Sequence, residues 1–275
     1  MVKFYAVVVM YNSIITQSRS CINIQKINNH DITMIIVDNS TIENDNKNLS
    51  SERNWMYISM NGNAGLSKAY NKVLDSISDN DGVIIWFDDD TDVTQEYFDK
   101  LEQEVNNRPE CSIFAPMIQG QDGKFWSPNE ARFLKNKQIK DRTQSINENK
   151  FNAINSCTAV RLEVYKDYRY DERLFLDQVD HNFFEDQRNL HRKFCKLDVI
   201  IHHNFSTRSK MKSIDAVKTR YSIMIPDFLR YCSKSKSRYA LGWVKVAGWG
   251  VREGIKYKNP GFFFWCIKQI FIFKK

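Results

Sequence analysis

The chain has 275 residues, a hydrophobic fraction of 42% and 18 phenylalanines, which suits one large packed domain with or without an appendage and excludes wholesale disorder. Lysine and arginine exceed aspartate and glutamate by 40 to 33, and this net charge of +7 argues for anionic partners without choosing among nucleic acid, phosphosugar and lipid head group. Six scattered cysteines with no CxxC spacing, read with the lack of a signal peptide, point to reduced thiols in a cytosolic protein, and no apolar run reaches the length of a membrane-spanning helix.

Phe4 to Met10 is a first buried-strand candidate, followed by Tyr11-Asn12 and a polar segment to Ile27 that suits a helix. Met34 to Val37 is a second strand and stops at Asp38-Asn39-Ser40, a cluster that alone reads as a turn or helix cap. Trp55 to Met60 is a third, after which Asn61-Gly62-Asn63-Ala64-Gly65 makes a turn with neither a Walker lysine nor a GxGxxG pattern. Leu66 to Ile77 has helical apolar spacing, with Lys68 and Lys72 on the other side.

Val83 to Phe87 is a short apolar run that ends abruptly in Asp88-Asp89-Asp90. In an extended chain Asp88 and Asp90 share one face. Neighbouring carboxylates repel, and a bound hard cation such as Mg²⁺ or Mn²⁺ removes that penalty. The competing reading is a polar turn that caps the next helix, predicted over Val93 to Val105. Strands that alternate with helices and end in polar residues predict an α/β fold with a mainly parallel sheet, in which ligands collect at the carboxyl ends of the strands. Asn12, Asp38, Asn61 and Asp88 to Asp90 then border one crevice.

The second half is less regular. Ser112 to Met117 is a strand, 119–150 a polar surface excursion, and Phe151 to Val160 leads through Asn155-Ser156-Cys157 into a short helix near Arg161 to Tyr165. Phe175 to Asp180 precedes a helix to Arg192, with Asp177 one turn before Asp180, and Lys196 to Ile201 is a strand ending at His202-His203. Asp177 and Asp180 can equally be solvated charges near a helix start, and the histidines core or surface imidazoles. Ser156 and Cys157 have no adjacent base motif and read as backbone-shaping or acceptor-facing. From Ser209 the chain turns basic and aromatic, and Gly261 to Lys275 sets nine aromatic and isoleucine side chains among three lysines. That composition suits a helix lying in an anionic membrane interface; docking on the catalytic domain or on a partner subunit, which would give a homo-oligomer through the extension, is the alternative.

In order, VVVMYN at 7–12, IIVDNS at 35–40, NGNAGLSKAYN at 61–71, WFDDD at 86–90, YDERLFLDQVD at 170–180 and HHNFS at 202–206 resemble the GT-A fold glycosyltransferases of family 2, in particular the rhamnosyltransferase-like and galactofuranosyltransferase-like branch. The resemblance implies a GT-A catalytic domain over 1–208 and a helical extension over 209–275. It implies donor contacts from Tyr11, Asn12, Asp38, Asn61, Gly65, Lys68, Asp88 and Asp89, and a Mn²⁺ or Mg²⁺ site of Asp88, Asp90 and His203, with His202 the alternative ligand. Asp180 falls where the family keeps its general base, and Asp177 and Ser156 would meet the acceptor. The activity implied is metal-dependent, inverting transfer of a rhamnose- or galactofuranose-like sugar from a nucleotide diphosphate to a growing cell-surface polysaccharide on a polyprenyl-linked acceptor. The location implied is the cytoplasm, peripheral on the inner face of the cell membrane, with no role for nucleic acid. Two rivals stand beside this reading. A nucleotidyltransferase would carry a glycine-rich phosphate loop near the first strand, and Tyr11 to Ser20 has no glycine. A non-enzymatic nucleic-acid or lipid-binding protein would not require Asp88 or Asp90.

Overall fold

The computed structural model describes residues 1–79, 81–133, 135–203 and 213–273, and these divide into two compact units. The first takes residues 1–64, 68–170 and the stretch from Phe183 that ends the sheet; the second takes 65–67, 171–182 and the C-terminal helices. The boundary expected at 208/209 lies outside the described residues.

From its start the chain runs β1 (Lys3–Met10), α1 (Arg19–Ile24), β2 (Asp31–Asp38), α2 (Asn46–Glu52), β3 (Met56–Ser59), α3 (Leu66–Ser76, whose first two residues belong to the second unit), β4 (Val83–Asp88), α4 (Gln95–Asn107) and β5 (Cys111–Gly120). It continues with β6 (Phe125–Ser127), β7 (Asn129–Glu130), β8 (Lys137–Gln138), β9 (Phe151–Asn152), β10 (Thr158–Arg161), α5 (Val179–Asn189) and β11 (Lys193–His203). The main sheet runs β11-β5-β10-β4-β1-β2-β3, parallel except for β10, with β6 folded back against β5. β1 lies between β2 and β4, so the chain steps outward to β3 and then returns to the other side of β1. In an open α/β sheet that reversal leaves a crevice beyond the carboxyl ends of β1 and β4.

The apolar runs form central strands because they can bury both faces. Val83 to Phe87 are all buried, as are Phe4 to Val8. Trp86 anchors an aromatic cluster with Tyr70, Tyr165 and Tyr170, and its indole nitrogen donates to the Tyr165 hydroxyl at 3.0 Å. α4 begins two residues later than its apolar spacing suggests, because the Thr94 hydroxyl accepts the Tyr97 amide at 3.3 Å and so caps the helix. The polar excursion carries β6, β7 and β8, and β7 joins β8 and β9 in a small three-stranded sheet. α2 has no apolar stripe and is legible only in the structure.

In the second unit α6 (Ile214–Cys232), α7 (Lys236–Lys256) and α8 (Gly261–Ile272) follow one another, the first two capped by Ser213 and Ser235. Gly250 lets α7 and α8 approach closely, since a Cβ there would lie 3.1 Å from the Phe263 Cα. Among the described residues no helix is long and apolar enough to cross a membrane.

The β4–β10 junction depends on Tyr97, whose fully buried hydroxyl donates to the Cys157 carbonyl at 2.7 Å, at a residue held in a left-handed backbone conformation (φ 61°). Tyr97→Phe removes that bond and nothing else, and is expected to lower the unfolding free energy by about 1–2 kcal/mol in urea titrations. An unchanged midpoint would show the bond to be dispensable.

Candidate functional site

Parallel pairing puts the strand ends in register: Met10 opposite Asp38 on one side of β1, and Val9 opposite Asp88 on the other. Asp38 is 4% exposed, and its carboxylate accepts from the Ser40 amide (3.0 Å), the Tyr57 hydroxyl (3.1 Å) and the Asn46 amide group (3.3 Å). Burial drives its pKa up, but the hydrogen bonds from Ser40, Asn44 and Asn46 outweigh burial and hold it below the ordinary carboxylate value. Asn12, at φ 52°, uses its side-chain oxygen to order the next loop, accepting from the Thr41 amide at 2.8 Å. Tyr11 beside it is half exposed. Asn61 (φ 56°) closes its turn on Ser59, and both it and Lys68 are exposed.

The acidic turn follows β4 directly. β10 starts opposite Trp86, so the last groups of β4 on that side are met by the loop before it: Cys157 N donates to the Trp86 carbonyl (2.7 Å) and Asp88 N to the Ser156 hydroxyl (3.4 Å). Ser156 is 5% exposed and also bonds Thr91 Oγ1 at 2.9 Å. It therefore lies beneath the acidic turn as a backbone-shaping residue. From the other side Ser18 Oγ and Ser20 N both reach the Asp89 carbonyl, at 2.8 and 3.3 Å, and Thr91 N donates to Ser20 Oγ at 3.2 Å. Sequence reasoning passed over Ser18, Ser20 and Thr91; the available signal was Ser18 as the cap of α1, whose hydroxyl also accepts Cys21 N. Burial, reinforced by the Asp90 charge, pushes the Asp89 carboxyl above its ordinary pKa.

Asp88, Asp90 and His203 each present a ligand atom, and these atoms all lie within 4.8 Å of one another. Of the two histidines at the end of β11, His203 is buried and is the one beside the aspartates, while His202 is exposed. Two carboxylates and an imidazole form a donor set that fits Mn²⁺ or Mg²⁺, with the remaining positions left for water and phosphate oxygens.

Gly65, Asp177 and Asp180 belong to the second unit. Gly65 has φ +90°, and a Cβ there would meet the Phe175 carbonyl oxygen at 2.8 Å. Asp177 does not lie a helical turn before Asp180 as expected. Gln178 takes φ 64°, α5 begins at Val179, and Asp177 stays in the preceding loop. There Arg220 donates to both of its oxygens, at 2.5 and 2.6 Å. Asp180 lies in the first turn of α5, where its carboxylate accepts the His181 amide at 2.7 Å.

The family described as glycosyl transferase family 2 matches residues 5–169. No curated protein sequence matches. The structure is similar to that of S. aureus TarS 1-349 in complex with UDP (TM-score 0.53, 15% identity, 88% of this chain and 68% of that one). It is equally similar to the same protein in complex with UDP-GlcNAc (TM-score 0.53, 15% identity, 94% and 75%). A longer TarS chain is covered over only 44% of its length (TM-score 0.52, 15% identity, 86% of this chain). These likenesses agree with a GT-A-like architecture, a mostly parallel sheet flanked by helices and followed by C-terminal helices.

The lowered Asp38 pKa carries a pH signature. A carboxyl that titrates lower folded than unfolded adds stability above its unfolded value, about 4, and loses it as pH falls through the folded value. Asp38→Asn is expected to cost stability at pH 7 and to lose less than wild type between pH 7 and pH 3, read as urea midpoints. Equal losses in the two proteins would remove Asp38 from the pH dependence.

Proposed function

This chain belongs to glycosyl transferase family 2 and is a glycosyltransferase, and we propose that it is metal-dependent and inverting, with a nucleotide-diphosphate sugar as donor. The observation that carries the proposal is the convergence of Asp88, Asp90 and His203 at the crevice end of the sheet. Complexes of the similar TarS structures with UDP and UDP-GlcNAc support the donor class. The finer reading is a rhamnose- or galactofuranose-like sugar, transferred to a polyprenyl-linked saccharide that becomes a cell-surface polysaccharide; it rests on the motif resemblance. Residues 1–208 would be the catalytic part and 209–275 an extension.

In this reading Asp88, Asp90 and His203 hold Mn²⁺ or Mg²⁺. An ion bound there would supply positive charge to offset that of the departing diphosphate. Tyr11, Asn12, Asp38 and Asn61 shape the nucleotide end of the crevice, with Gly65, Lys68 and Asp89 as further donor contacts, Asp177 on the acceptor side, and Ser156 supporting the acidic turn from beneath. Asp180 takes the proton of the acceptor hydroxyl as that oxygen bonds to the anomeric carbon. The bond from that carbon to the diphosphate oxygen breaks, and the nucleoside diphosphate leaves with the electron pair. One base and no enzyme nucleophile give inversion.

Basic residues and exposed apolar side chains share the C-terminal helices; Ile255, Phe264 and Phe271 are each at least 70% exposed. Their company with Lys256, Lys258 and Lys268 supports peripheral contact with the anionic inner face of the membrane.

Three measurements test these proposals. Thermal unfolding with Mn²⁺ against UDP, dTDP, GDP and their sugars is expected to show stabilisation by one nucleotide class, dependent on metal and lost in Asp90→Ala. Asp180→Asn should keep that stabilisation and lose transfer by at least about 100-fold; unchanged turnover would remove Asp180 as the base. Separately, co-sedimentation with vesicles is expected for anionic lipid at low salt and to weaken as salt rises. Equal binding to neutral vesicles, or none to either, would dismiss the membrane contact.

A further inference from the structure

The second unit contains a carboxylate that no step above uses. Asp227, in the middle of α6, is 2% exposed. Its oxygens accept three consecutive backbone amides of the loop before α5: Phe175 N at 2.9 Å, Leu176 N at 2.8 Å and Asp177 N at 2.7 Å. Three successive N–H groups converging on one anion form a nest, here filled from within the chain. Burial and the nearby Asp177 charge push the Asp227 carboxyl upward in pKa, against the pull of those three amides. A buried, hydrogen-bonded carboxylate is costly to desolvate and is tolerated where its partners are fixed in number and direction.

A second tie comes from the same helix, since Arg220 grips Asp177 bidentately. A third comes from the start of α3, where Leu66 N donates to the Phe175 carbonyl at 2.6 Å and Gly65 leaves room for that approach. The loop is thus fixed at Phe175, Leu176 and Asp177. Only Gln178, at φ 64°, and Val179 separate it from Asp180. With its entry pinned, the first turn of α5 has one direction in which to present the Asp180 carboxylate.

We infer that Asp227 is a positioning residue for the transfer reaction: α6 sets the entry of the base-bearing helix, so the C-terminal helical segment is part of the catalytic apparatus. The inference rests on Asp180 being the general base. It separates two roles for the C-terminal helices, because a membrane anchor alone would leave turnover on a soluble acceptor untouched.

The test compares wild type, Asp227→Ala, Asp227→Asn and Arg220→Lys in the full chain. The readouts are amide hydrogen exchange at Phe175 to Asp177, steady-state kinetics on a soluble acceptor analogue, and nucleotide-induced thermal shift. In Asp227→Ala the three amides are expected to exchange about 100-fold faster, kcat to fall about 10-fold or more, and donor KM to stay within about twofold. Asp227→Asn retains one acceptor oxygen and should fall between the two, and Arg220→Lys should show a smaller effect of the same kind. If Asp227→Ala fails to fold, Asp227→Asn and Arg220→Lys decide. Slow amides in every variant, or fast amides with kcat unchanged, would overturn the inference. A wild type that turns over no nucleotide sugar would instead overturn the glycosyltransferase mechanism, while amide exchange would still report whether Asp227 holds the loop.

Discussion

Holding two carboxylates a few ångströms apart is the constraint around which the sheet's carboxyl end is built. Two unit charges 4 Å apart repel by about 1 kcal/mol in bulk water and by about 4 kcal/mol at the effective dielectric of a protein surface. A single net hydrogen bond, at about 1 kcal/mol, does not offset the larger figure. The turn after Phe87 is accordingly tied at several points: Ser18 and Ser20 at the Asp89 carbonyl, Ser20 at Thr91, and Ser156 at Asp88 and Thr91. These bonds fix the backbone, so the repulsion cannot relax by unwinding the turn. What remains is a pair of carboxylates held beside the His203 imidazole.

The rest of the first unit supplies that turn with a rigid frame. Trp86 and Phe87 are buried, Trp86 is tied through Tyr165 to Tyr170, and Tyr97 holds Cys157 in the conformation from which β10 departs. β10 is only four residues long, whereas β11 has eleven and carries His203 to its end. The mixed direction of β10 is thus a local device: a short antiparallel insert whose approach loop delivers Ser156 beneath the acidic turn.

The strand-then-polar punctuation made the parallel sheet and its crevice readable, because a strand buried on both faces must be apolar throughout and its end must not be. The same logic located Asp38 and the Asp88 to Asp90 turn. Periodicity chose neither histidine in advance; the burial alternation of β11, visible only once its pairing is known, brings His203 to the aspartates. Three features escaped for physical reasons. α2 is held by its ends and by Asn46, whose side-chain oxygen accepts Ile15 N at 2.9 Å, so it has no apolar stripe to detect. The place of Ser156 follows from a contact across the sheet with Asp88, 68 positions away, which no local pattern encodes. Asp177 looks helical by spacing, yet Gln178 breaks the helix because three amides before it are already committed to Asp227.

Charge is distributed as unevenly as structure. Residues 213–273 hold eleven lysines and arginines against three acids, a net +8, which exceeds the +7 of the whole chain. The remainder, with its acidic turn, is therefore close to neutral or slightly acidic, and the basic character read from composition belongs to the three C-terminal helices. Two of those three acids are buried, Asp227 and Glu253, and both face polar partners inside the helical unit. An acid kept at 2% exposure in the most basic segment of the chain adds nothing to solubility and opposes binding to an anionic surface. Its three amide partners supply the reason: within this basic segment, Asp227 is spent on the geometry of one loop. α6 thus turns Asp227 and Arg220 toward the residues that lead to Asp180, while Ile255, Phe264 and Phe271 on the later helices stay exposed.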